Sequence, residues 1–160
     1  MHYAVPDCET TPTKMPISGP SDHALHPLTG MTPKDAPDVI TVGTGDLSEL
    51  REDAQTIVID TMTKSWGQSI PGAFGLKFAG LGDFSDEAQI RLRSKMSELT
   101  GGDRHRSIVA MGWNSEHCDG RNLALRLTAL GYSHVYWYRG GREAWEAAGL
   151  PETDLRIEDW

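Results

Sequence analysis

Three short runs of consecutive apolar, mostly β-branched or aromatic residues stand out along the chain: Thr56–Asp60 (TIVID), Ser107–Met111 (SIVAM) and Val135–Tyr138 (VYWY). Runs of this length without polar alternation predict strands buried on both faces. Between them, apolar residues recur at helical spacing. Ala88, Leu92, Met96 and Leu99 share one face of a predicted helix. Ser85 is its expected N-cap, Asp86 and Glu87 suit its positive end, and Gly101-Gly102 ends it. Leu123, Leu127 and Leu130 face inward from a second helix expected over Asn122–Leu130, closed by Gly131. Val39–Val42 alternates and predicts an edge strand, with a short helix near Asp46 to Arg51 after it. Pro71 and Gly72 break regular structure, so Ser69–Ala73 reads as a turn. A one-turn helix is expected after Gly140-Gly141, stopping at Gly149-Leu150-Pro151. Strands alternating with helices predict a central parallel sheet flanked by helices, a single α/β domain over residues 39–155.

The first 38 residues read differently. They hold seven of the nine prolines and show neither helical nor strand periodicity, which predicts an irregular, extended arm. His23 and His26 lie in it without a helix to converge them on a metal.

Composition narrows the function classes. The chain has 15 Lys and Arg against 23 Asp and Glu, a formal charge of −8, and its basic residues form no block. A nucleic-acid surface rests on basic patches, so it is excluded, and a small molecule or a protein is the expected partner. No apolar run reaches the roughly 18–20 residues of a membrane span. The two cysteines, Cys8 and Cys118, make neither a disulfide framework nor a zinc spacing. One regulatory bridge between them is compatible with export. No metal and no cofactor is called for. The N-terminus lacks a basic stretch followed by an apolar one, which predicts a cytoplasmic chain or a mature exported form.

Several phrases resemble the rhodanese superfamily. Ile57–Asp60 with Ser69–Ala73 is similar to its first signature, and Gly140-Gly141 through Trp145 and Gly149-Leu150-Pro151 to its second. The resemblance covers about residues 39–153 and implies a rhodanese-like fold and sulfur transfer by a cysteine. Leu99–Asp103, Asn122, Leu130–Tyr132 and Val135–Tyr138 resemble a narrower group. This is the Cys-x-x-Cys-Trp family associated with pyrroloquinoline-quinone-dependent catabolism, which implies export and a role near periplasmic quinoprotein dehydrogenases. The departures are equally specific. Gly112 stands where the superfamily nucleophile is expected, Met62 where Arg is usual and Ser69 where His is usual. In the narrower family's motif, Trp113 and His117 fall on the two cysteines and Cys118 on the tryptophan. With a one-residue gap, Asn114 and Cys118 take the cysteine places instead.

The candidate site is therefore the loop from Gly112 to Asn122, at the carboxyl end of a buried strand, where α/β sheets bind ligands. Cys118 is the candidate nucleophile, placed a few residues before a helix whose unpaired amides favour a thiolate or a persulfide. Arg121 and His117 are the candidate cations that would lower its pKa, with Asp119 opposing them. Trp113, Asn114, Ser115 and Gly120 are the expected binding residues, Trp113 as wall or gate. Asp60 reads as a structural acceptor, and Trp137 and Trp145 as core. Only two residues separate Cys118 from Arg121, too few for the anion cradle of a cysteine phosphatase. Two readings remain open. One is a weak sulfurtransferase carrying sulfane sulfur on Cys118. The other is a catalytically silent rhodanese-homology binding or accessory module linked to periplasmic quinoprotein metabolism.

Overall fold

The structure, a computed structural model, describes residue 36 and residues 38–61, 67–80, 86–115 and 117–160. Nearly all of the N-terminal arm, including Cys8, His23 and His26, lies outside the described residues, as do Met62 and Ser85.

Six parallel strands form one sheet in the order β1-β6-β5-β2-β4-β8. They are β1 (Ile40–Val42), β2 (Ile57–Asp60), β4 (Phe74–Gly75), β5 (Ile108–Met111), β6 (Val135–Tyr138) and β8 (Arg156–Ile157). A separate antiparallel pair joins β3 (Gln68–Ser69) to β7 (Thr153–Asp154). The three apolar runs become β2, β5 and β6, which occupy the middle of the sheet. Alternate residues of these strands feed two cores. Ile57, Ile59, Ile108, Ala110, Val135 and Trp137 pack on one face against α2 (Glu87–Thr100) and α3 (Asp119–Ala129). Val58, Val109, Met111 and Tyr138 pack on the other against α1 (Thr44–Leu50) and α4 (Gly141–Ala147). Burial on both faces is why these strands carry no polar alternation. No helix among the described residues is long and apolar enough to cross a membrane.

Helix starts and short strands differ from the sequence expectation. α1 begins at Thr44, ahead of the expected Asp46. Asp46 lies inside its first turn, where its Oδ2 accepts from the Gly43 amide at 3.1 Å. α2 is capped by Asp86, whose carboxylate accepts from the Gln89 amide. α3 begins at Asp119 instead of Asn122, which makes Cys118 its N-cap. Its first turn is polar yet buried, so apolar spacing could not reveal it. Gly120 allows that burial: a Cβ there would come within 2.9 Å of the Gly112 nitrogen and the Met111 carbonyl carbon. The helix after Gly140 runs for seven residues, two turns instead of one. Of the expected turn, Ser69 is in β3 and the turn proper is closed by the Ala73 amide on the Ile70 carbonyl. The two-residue strands β4 and β8 show no pattern in sequence; pairing alone makes them strands.

Candidate functional site

The loop that begins at Gly112 leaves the carboxyl end of the central strand β5, and its first residues, Gly112 and Trp113, lie over the start of α4. Two backbone bonds hold it there: the Arg142 amide donates to the Gly112 carbonyl (3.1 Å) and the Glu143 amide to the Trp113 carbonyl (2.9 Å). The amides of the positive end of α4 are thus used by the loop itself. Gly141 permits this approach, with φ +63 and no Cβ; one there would lie 2.8 Å from the Trp113 carbonyl carbon.

Side chains add a second layer of ties. Asn114 donates through Nδ2 to Glu143 Oε2 (2.8 Å), and its Oδ1 meets His117 Nδ1 at 2.6 Å. Arg142 lies against the Trp113 ring, its guanidinium carbon 5.3 Å from the centroid. Arg142 Nε also stands 3.7 Å from Asp60 Oδ2, which accepts a 2.7 Å bond from Ser69 Oγ. Asp60 has the surroundings of a structural acceptor, as its sequence context indicated. Trp113 itself is 41% exposed at the mouth of the loop, whereas Ser115 is buried. Trp137 and Trp145 are buried in the two cores.

Cys118 does not present its thiol to solvent: only 1% of the residue is exposed. Burial pushes its pKa up to about 11, against a pull from Arg121 and with a further push from Asp119. The expected lowering by helix and cations is therefore reversed. Arg121 does attract the thiolate, as anticipated, but it is itself fully buried and its pull is outweighed. His117 acts on a different residue, because its charge favours ionised Asp119. Among the described residues Cys118 has no disulfide partner.

Asp119 is the residue that sequence reasoning undervalued. It is buried, with its pKa raised by burial against the Thr61 hydroxyl and the Gly120 amide, which donates to Oδ1 at 3.1 Å. Its carboxyl group lies under the end of β5. A Cβ built on Gly112 would collide with Oδ1 and approach Cγ to 2.8 Å, so this carboxyl fills the space that any side chain at position 112 would enter. Nearby, the α3 backbone is packed on Gly80, where a Cβ would come within 2.6 Å of the Asp119 Cα; Asn122 Nδ2 donates to the Gly80 carbonyl at 2.9 Å. A glycine at a strand end and an acid seven residues later give no sign in sequence that they meet. Among the described residues no three His, Cys, Asp or Glu side chains form a metal-ligand group.

The geometry can be set beside known proteins. Residues 44–148 match the family model described as the rhodanese-like domain. The fold is similar to a full-length protein from Lactobacillus plantarum, at 19% identity and TM-score 0.53, over 73% of this chain and 88% of that one. It is also similar to the polysulfide-sulfur transferase homodimer of Wolinella succinogenes, at 15% identity and TM-score 0.50, over 76% and 81% of the two chains. A third similar structure is the thiosulfate sulfurtransferase of Pseudomonas aeruginosa, at 16% identity and TM-score 0.52, where 76% of this chain spans 22% of that one. No curated protein matches the chain. Identities this low speak for the fold, and the family match speaks for descent: the chain belongs to the rhodanese-like domain family.

Proposed function

We propose that this rhodanese-like domain is a catalytically silent binding or accessory module. The observation that carries the reading is the pairing of Gly112 with Asp119. The strand end expected to hold the sulfur-carrying cysteine has no side chain, and a buried carboxyl group occupies the adjoining space. A carboxyl group there takes up the room a sulfur-bearing side chain would need, and in its ionised form it repels the anionic sulfur donors that a rhodanese nucleophile would attack. The remaining thiol, Cys118, is buried and protonated at neutral pH, and the thiolate is the reactive form. What the loop offers instead is a braced surface with the half-exposed Trp113 at its mouth, backed by Arg142. A fixed aromatic beside a guanidinium suits recognition of a protein partner.

The test is incubation with thiosulfate followed by intact-mass measurement, with an active rhodanese as control. The expected result is no added sulfur and slow alkylation of Cys118. A persulfide that disappears in Cys118→Ser would replace this reading with weak sulfur transfer through Cys118. The position of Cys118 at the N-cap of α3 and the attraction of Arg121 are what favour that second reading.

The phrases around Leu99–Asp103 and Leu130–Tyr138, similar to the Cys-x-x-Cys-Trp family, supply a partner class: a periplasmic quinoprotein dehydrogenase. Calorimetric titration of a purified dehydrogenase of that class with the full chain should give saturable binding that Trp113→Ala weakens. No heat of binding, or heat indifferent to Trp113, removes this partner from the proposal.

A further inference from the structure

A second surface lies along the edge strand β1 and does not depend on the function proposed for the loop. Among the described residues β1 is an edge strand, paired only with β6. One row of its backbone N–H and C=O groups therefore faces outward, a template for a further strand. Beside it runs an open groove of about 470 Å³. Its floor is apolar, with Ile40, Leu50 and Tyr136, and Ile40 is 58% exposed. Its rim is acidic, formed by Asp46, Glu49 and Asp53, and among the described residues no Lys or Arg lines it. Asp46 and Asp53 each accept from a backbone amide, of Gly43 (3.1 Å) and Gln55 (2.8 Å). Such bonds leave their negative charge in place. Of the cations on the far side of Asp53, Arg51 donates to the Pro71 carbonyl and Arg106 to the Gln55 carbonyl, and both line an adjoining cavity that Asp53 also borders.

We propose that this groove takes an extended basic segment of a partner protein, added as a strand outside β1. Alternate residues of a strand point to one side. Apolar side chains of such a segment would cover Ile40 and Tyr136, while Lys or Arg side chains meet the acidic rim. Charge selects this occupant over two others. A second copy would set one acidic rim against another in a chain of charge −8. The chain's own residues 1–35 carry only Lys14 and Lys34 against Asp7, Glu9, Asp22 and Asp35.

The experiment titrates the full chain into a fluorescent, end-blocked peptide alternating Lys and Val, with a Glu and Val peptide as control. The Lys peptide binds, added salt weakens it, and the Glu peptide does not bind. Glu49, whose side chain accepts from no backbone amide among the described residues, is the residue to change: Glu49→Ala should weaken binding roughly threefold and Glu49→Lys about tenfold. Equal binding of the two peptides, or affinity indifferent to both variants, overturns the proposal. Hydrogen exchange of the free chain tests the other occupants. Outward amides of residues 40–42 that are protected at every concentration put the chain's own arm in the groove. Protection that appears only at high concentration puts a second copy there, and either result overturns the proposal. Fast exchange that slows on addition of the Lys peptide supports it.

Discussion

At the scale of single residues, two positions meet in the loop: Gly112, which has no Cβ, and Asp119, whose carboxyl group lies where that Cβ would be. Gly112→Cys is expected to lose about 1–3 kcal/mol of stability in urea unfolding, because the new side chain enters filled space. It should also take no sulfur from thiosulfate. Adding Asp119→Ala clears that space, so the double variant should be more stable than the sum of the two single changes predicts. Additive losses would show that the two positions do not compete. The thiol of Cys118 supplies a pH prediction. Its folded pKa of about 11 lies above the ordinary thiol value of 9.0, so the folded state retains a proton that the unfolded chain releases. The associated stability is complete below pH 9.0 and is lost as pH rises through about 11. Relative to Cys118→Ala, the wild-type chain should lose roughly 2 kcal/mol across that window. Parallel pH profiles of the two proteins would contradict the burial of the thiol.

At the scale of elements, the helices are positioned by polar pins as much as by apolar faces. Asp86 does two jobs: it caps α2 through the Gln89 amide and holds Arg126 of α3 by two bonds, of 3.2 and 3.1 Å. Arg126 is fully buried, so removal of its carboxylate partner is costly. Asp86→Ala should cost about 3 kcal/mol in urea unfolding, by loss of both the cap and the ion pair. Asp86→Asn keeps the cap and should cost clearly less. Equal losses would mean that the charge on Asp86 contributes nothing. The same element-level logic explains the sequence expectations that missed. Apolar spacing located the cores of α2 and α3 through Leu92, Met96, Leu123 and Leu127. It could not locate the start of α3, whose first turn (Asp119, Gly120, Arg121, Asn122) buries polar groups satisfied by distant partners such as the Gly80 carbonyl.

At the scale of the whole molecule, the fold rests on a sheet buried on both faces between two helix pairs. Trp137 of β6 is the largest side chain of the core shared by the sheet with α2 and α3, and it pairs in register with Ala110 of β5 and Thr41 of β1. Its truncation opens a cavity at the meeting of several elements. Trp137→Ala is expected to lose about 3–5 kcal/mol, with far-UV and near-UV circular dichroism melting together. Loss of near-UV signal alone would show that the two cores unfold separately. The two surfaces proposed for recognition share no lining residue: the loop is built on the carboxyl end of β5, and the acidic groove runs along β1 and the helix after it.

The amino-acid sequence by itself determined the scaffold. Buried parallel strands must be apolar on both faces, and helix faces must be apolar at helical spacing, so TIVID, SIVAM, VYWY and the Leu and Met stripes named a parallel α/β domain. The absence of a nucleophile at position 112 was equally plain, since it is the identity of one residue. Only the tertiary structure decided what surrounds that position. The burial of Cys118, the placement of the Asp119 carboxyl group against Gly112, and the turning of His117 toward Asn114 and Asp119 depend on how α3 docks on β5. That docking is set by contacts such as Asn122 with Gly80 and Gly120 with the strand end, between residues far apart in the chain or lacking side chains. Local periodicity carries no record of such contacts. A strand pattern can therefore specify where a rhodanese-like loop is built while leaving its chemistry to be set by packing.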